Sequence, residues 1–306
     1  MRHYLAQRIF HSLISLAGLL ILVFFLARLT GDPGDLYLPL DSSIETRQAF
    51  TEKHGYDDPS YVQFARYVRD LLHGDMGESI RKKRPALEIV LEAIPVTLML
   101  AASAMFLALL GAIIVGARAA YRPGGAFDRI ASIASLVSAS APDFWIAITA
   151  IIVFSVQLQW LPTSGLGGPI YWIMPVCVLL IRPFGLLVQV VRSSMLTVLS
   201  SAYIKTARAK GVKEKSIVFI HALRNAMIPV ITVAGDQAAA LANGAVIVET
   251  IFGWPGIGKL MIDSIVQRDF AVVQAAILVT AFVILSINIV VDLTYALLDP
   301  RIRKRS

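Results

Sequence analysis

Val96-Thr-Leu-Met-Leu-Ala-Ala-Ser-Ala-Met-Phe-Leu-Ala-Leu-Leu-Gly-Ala-Ile-Ile-Val-Gly-Ala117 contains no charged residue. A helix of this length, rising about 1.5 Å per residue, crosses the roughly 30 Å hydrocarbon core of a bilayer. In water it would have to be buried on every face. On either side of it lie five more segments of the same kind, at about 9–29, 130–156, 170–191, 228–248 and 272–298. The stretch 228–248 is the weakest, because Asp236, Gln237 and Asn243 interrupt it. The expectation is an all-α integral membrane protein with about six transmembrane helices. Composition agrees, since 57% of the 306 residues are hydrophobic and 16% charged, against about 25% charged in a soluble domain. The single Cys177 lies in an apolar run, so no internal disulfide is possible.

The formal net charge is +7. The cations cluster in short loops between apolar runs, which is the positive-inside bias of membrane proteins and excludes a nucleic-acid partner. Arg118, Arg122 and Arg129 stand in the 118–129 loop, and the 157–169 loop has no charge. Lys and Arg again dominate 192–227 and the tail from Arg301 to Arg305. This alternation predicts a multi-pass protein with both termini cytoplasmic. Residues 1–306 then form a single transmembrane domain, with a long external loop at 30–94 and core spans over 96–298. The first apolar run is longer than a signal-peptide core and no small-x-small cleavage site follows it, so it reads as a retained span.

Within the external loop, Asp58 and Pro59 form a helix start, as cap and first position. Tyr61, Phe64, Ala65, Val68, Leu71 and Leu72 follow with helical spacing, and Gly74 suits the stop. Pro85–Ile94 reads as a second short helix, broken at Pro95. This region is either a packing surface or a docking surface for an external partner. Gly253-Trp-Pro-Gly-Ile-Gly258-Lys259 imitates half of a phosphate-binding loop. Leu260 stands where Ser or Thr should hold magnesium, and Pro255 removes a donor from a loop that works by donating. It reads as a rigid turn carrying an interfacial Trp254, with no cofactor.

The 193–227 loop carries the functional signal. Leu199, Ala202, Tyr203, Thr206 and Ala207 recur at helical spacing, Gly211 breaks the run, and a second apolar-basic segment covers Ser216–Leu223. By residue chemistry alone it serves equally well as a surface for anionic lipid or as a dock for a partner.

Tyr203-Ile-Lys-Thr-Ala-Arg-Ala-Lys-Gly211, followed after nine residues by His221-Ala-Leu-Arg-Asn-Ala-Met-Ile-Pro229, resembles the cytoplasmic coupling loop of binding-protein-dependent ABC importers. It is closest to the dipeptide/oligopeptide branch, which also serves nickel and glutathione. The general pattern begins Glu-Ala-Ala, where this chain has Lys205, Thr206 and Ala207, with Gly211 in place. Thr30-Gly-Asp-Pro33, His73-Gly-Asp-Met-Gly77, Arg192-Ser-Ser-Met195, Glu249-Thr-Ile-Phe-Gly-Trp-Pro-Gly256 and Asp299-Pro-Arg301 are also similar to family motifs.

The resemblance implies a permease subunit in a bacterial plasma (inner) membrane. A second homologous permease subunit, two ATP-binding subunits and an external solute-binding protein would be its partners, beside the lipid bilayer. Ala207, Arg208, Lys210, Gly211, His221, Arg224 and Asn225 are the implied ATPase-coupling residues. Arg182, Asp236 and Asn243 are candidates for the translocation path, with Arg182 and Asp236 as a candidate pair, because an unpaired charge facing lipid is costly. Related permeases carry peptides, glutathione, nickel chelates and some sugars or opines. The competing reading is a self-contained secondary transporter with a midplane site. An intramembrane enzyme is disfavoured, since no span carries a Gly-x-Ser-Gly motif and the histidines lie in loops or, for His11, at the edge of the first span.

Overall fold

A computed structural model describes residues 2–29, 42–55 and 57–298. The motifs at Thr30–Pro33 and Asp299–Arg301 and the basic tail lie outside them, as does the Asn243 side chain. The helices, in chain order, are α1 (Arg2–Leu29), α2 (Ile44–His54), α3 (Ser60–Leu72), α4 (Ala86–Tyr121), α5 (Ala126–Ser140) and α6 (Asp143–Ala150). After these come α7 (Ile170–Leu199), α8 (Ala202–Ala209), α9 (Glu214–Ser216), α10 (Leu223–Ile251), α11 (Ile257–Val266) and α12 (Phe270–Leu298). A π-helical segment, Ile151–Gln157, extends α6, and another, Ile217–Ala222, joins α9 to α10.

Among the described residues, four helical stretches are long and apolar enough to cross a bilayer: Ala86–Tyr121, Ile170–Leu199, Glu214–Leu241 and Phe270–Val291. The apolar part of α1 is shorter, Phe10–Leu26. The expected span at 130–156 is two helices, Ala126–Ser140 and Asp143–Gln157, bent by 101°. Pro142 is the cause: the residue before a proline is driven out of the helical region, and Ala141 has φ −75° and ψ 133°. Pro95 does the reverse of what the sequence suggests. The expected short helix at Pro85–Ile94 does not stop there, because α4 runs from Ala86 straight through Pro95. Backbone groups inside a membrane find no water to turn to, so a helix absorbs one missing bond rather than open. Pro175, Pro183 and Pro229 are carried in the same way.

The chain divides into two compact units, with boundaries inside α4, α11 and α12. The first comprises Val96–Gly258 and the segment from Ser286 onward. Its centre is α7, which packs most extensively on α10 and α5. Leu187, Val188, Val191 and Met195 of α7 meet Ile204 of α8, Ile217 and Val218 of the π segment, and Ala226 and Val230 of α10. Close approach of α4 depends on Gly116, where a Cβ would lie 2.7 Å from Val191 Cβ. The pair Asp128 and Arg192 fastens α5 to α7. Asp128 is 3% exposed and accepts from Arg192 Nε, from its NH2 group at 2.9 Å and from the Gly124 N–H at 2.8 Å.

The second unit comprises Arg2–Pro95 and Lys259–Leu285. Phe24 of α1 is buried against Phe64 and Tyr67 of α3; of the face read from the sequence Phe64, Val68 and Leu71 are half-buried, while Tyr61, Ala65 and Leu72 are exposed. Pro59 takes the cap position of α3 and Ser60 the first, one residue later than expected, while Asp58 receives the Arg66 guanidinium. Gly74 has φ +81°, and its N–H closes the end of α3 on Leu71 O at 2.9 Å.

Candidate functional site

The 193–227 segment starts inside α7, whose last residues run to Leu199, and leaves it at Ser200 and Ser201. Ser201 is extended (φ −68°, ψ 157°), so α8 restarts the helical phase. The expected stripe is therefore redistributed. Ile204 is fully buried and Ala207 half-buried against the α7–α10 core, while Ala202, Tyr203 and Thr206 face outward. The turn after α8 depends on Gly211, with φ +78° and its N–H bonded to Arg208 O at 2.9 Å. No atom lies within 4 Å of a Cβ built there, so conformation alone demands glycine.

Two side-chain contacts hold this element. Arg208 donates to both Glu214 oxygens, at 3.1 and 2.6 Å, which raises the guanidinium pKa above its ordinary value. Asn225 Nδ2 donates to Tyr203 Oη at 2.7 Å, tying α8 to the first turn of α10. Arg208, Lys210, Gly211, His221, Arg224 and Asn225 are all exposed. The contacts thus join α8 to the α9–α10 region, and Lys210, His221 and Arg224 stand on the surface around them. The sequence missed Tyr203 as the partner of Asn225, and Ile204 as the anchor.

The expected pair of Arg182 and Asp236 is absent: both are exposed, and no ion pair links them among the described residues. The acid within electrostatic reach of Arg182 is Asp143, the first residue of α6. Asp143 Oδ1 is buried and meets no donor among the described residues. The bend at Pro142 puts this acid where two straight helices would not have placed it.

The glycine turn after α10 is a second centre. Glu249 is fully buried. Its carboxylate accepts from Thr97 Oγ1 at 2.6 Å and from the Gly258 N–H at 2.8 Å, while the Ile257 N–H donates to Thr97 Oγ1 at 2.9 Å. A Cβ on Gly256 would overlap this carboxylate, and one on Gly258 would lie 2.9 Å from its Oε2. The loop that imitates a phosphate site therefore holds the chain's own carboxylate at the N-terminus of α11. Trp254 is not interfacial as expected: it is 0% exposed and packs edge-on against Trp172, with ring centroids 4.8 Å apart.

Long apolar helices, one of them broken at membrane depth, around a short surface helix and glycine turn are the framework of a membrane permease. Residues 112–304 match the family described as binding-protein-dependent transport system inner membrane component. The chain belongs to that family, as a permease of an ATP-driven importer and not an enzyme. It is 38% identical over 99% of both chains to the oligopeptide transport system permease protein AppB of Bacillus subtilis. It is 37% identical, again over 99% of both, to the di/tripeptide permease DppB of Pseudomonas aeruginosa. The glutathione permease GsiC of Salmonella paratyphi A is 36% identical over the same shares. A crystal structure of an amino acid ABC transporter with histidines shares the fold, with a TM-score of 0.55 at 15% identity, covering 68% of this chain and 94% of that one.

Proposed function

We propose that this chain forms half of the transmembrane path of an importer for peptides or peptide-like solutes, pairs with a second homologous permease subunit, and docks an ATP-binding subunit on α8 and the Gly211 turn. In this reading two ATP-binding subunits and an external solute-binding protein complete the assembly. Both termini and the 193–227 segment lie on the cytoplasmic side. Arg182, Asp236 and Asn243 line the path, with Asp143 beside Arg182.

The observation that carries the docking surface is the combination at α8. A buried Ile204 fixes the helix from beneath, and Ala202, Tyr203 and Thr206 remain outward, followed by an open glycine turn. A surface so rigidly held yet uncovered suits a partner groove. The peptide-like substrate class rests on the names of relatives that align end to end. Family membership sets aside the self-contained secondary transporter.

In the transporter assembled with its partners, Gly211→Val is expected to abolish solute-stimulated ATP hydrolysis and uptake while the protein inserts and assembles normally. Unchanged uptake by a stably inserted Gly211→Val protein would sink the docking assignment. A panel of di- and oligopeptides, glutathione and a sugar, offered with the cognate binding protein, tests the substrate class; uptake of the sugar alone would overturn it.

A further inference from the structure

The second unit contains an apolar groove of 510 Å³, within the roughly 300–1,000 Å³ of single-ligand sites. Its walls include Leu16 and Leu20 of α1, Met76, Leu87 and Leu91 around the start of α4, and Phe282 of α12. Every lining side chain is a hydrocarbon or a thioether.

Between Met76 and Leu87 the chain leaves the groove wall, turns and comes back. Glu78 and Pro85 pair as an antiparallel bridge, so this turn stands on the rim of the groove. It is fastened from several sides. Ser79 donates its hydroxyl to the buried Asp269 carboxylate, its N–H bonds Arg84 O at 2.9 Å, and the Ala86 N–H bonds Gly77 O at 2.9 Å. At its tip are Arg81, Lys82, Lys83 and Arg84, all exposed. Arg84 is taken up by Glu88 and Glu92 on the first turns of α4. Arg81, Lys82 and Lys83 form no ion pair within 4 Å among the described residues, and Lys82 alone of the three acts electrostatically on Glu92. Leu87 and Leu91 each precede one of those two glutamates, so an acidic stripe paired with Arg84 runs beside the apolar one up α4, and the basic side chains stand on the turn alone.

We propose that this groove and turn together bind an anionic phospholipid, with an acyl chain in the groove and the phosphate on Arg81, Lys82 and Lys83. An apolar helix from another subunit would fill the groove but leave the cations on its rim unanswered. A phospholipid supplies both parts, and a fixed turn holds its charges for a headgroup without having to be ordered first.

The test uses the full transporter in nanodiscs containing a trace of phospholipid with a diazirine near the end of one acyl chain, either as phosphatidylglycerol or as phosphatidylcholine. Peptides bearing the label are identified after irradiation. Phosphatidylglycerol is expected to label 13–20 and 278–282 in preference to phosphatidylcholine, with the preference falling roughly fivefold for each cation removed in Arg81→Gln, Lys82→Gln and Lys83→Gln. Lys82→Arg is expected to keep it. Equal labelling by the two lipids, or a preference untouched by the triple glutamine variant, overturns the proposal. So does a groove that takes no lipid and instead cross-links, through cysteines introduced at Leu16 and Phe282, to the second permease subunit.

Discussion

Gly211 sits in the turn after α8 and Gly258 in the first turn of α11, and glycine is needed at each for opposite reasons. Around Gly211 there is open space and a left-handed φ of +78°; the backbone forbids a side chain that the surroundings would admit. Gly258 has no such φ, but the α10 backbone at Val246 and the Glu249 carboxylate occupy the place a Cβ would take. One turn is open to the outside, and the other place is filled by the chain itself. Identical letters in the sequence therefore carry an open turn, the proposed docking element, in one place and an internal clasp in the other.

Substitutions separate the two cases, and their effects on stability should descend in a definite order. Gly258→Ala forces a methyl group against backbone and is expected to destabilise by about 3 kcal/mol, the upper end of overpacking; a melting temperature unchanged in the purified transporter would break the contrast. Glu249→Gln keeps the shape but turns an amide toward donors, at about 2 kcal/mol. Its check is the same melting curve, with Thr97→Val beside it: the two losses should not add, because they share one network. Gly211→Val strains only the backbone, by about 1–2 kcal/mol, so it should be well assembled yet inactive in uptake. Gly211→Asn, which tolerates the left-handed region, is expected to lose under about 0.5 kcal/mol and to retain most uptake. If asparagine were as inactive as valine, the turn's conformation would not be what glycine provides.

Much of this architecture was legible in advance because bilayer spans are written as long apolar runs, and Ala86–Tyr121 and Phe270–Leu298 need no tertiary context to be recognised. The prolines were harder. Pro95 and Pro142 look alike in sequence; one is absorbed by a continuous helix and the other ends one. The phase of α8 was misread because the periodicity was carried across Leu199 into Ala202, while the break at Ser201 resets it. The cost of an unpaired charge points to Asp236 as the partner of Arg182, but in the structure the two form no ion pair and Asp143 lies within electrostatic reach of Arg182. The Glu249 clasp left only an indirect trace, a phosphate-loop pattern lacking its hydroxyl residue. That defect ruled out a nucleotide but did not reveal that an acid nine residues before Gly258 had taken the anion's place.

The bend at Pro142 has a consequence for solvation. A helix that stops leaves its last carbonyls without partners along its own backbone, and the helix that follows leaves its first N–H groups likewise. Here both ends fall midway along the 130–156 stretch that composition assigns to the membrane. Hydrocarbon cannot satisfy them, and irregular backbone persists at that depth only against protein or water. The polar peptide ends and the carboxylate of Asp143 thus give this stretch a polar character that its apolar composition conceals. On the proposed path, a solute with charged termini would meet these polar groups at the bend and not hydrocarbon alone.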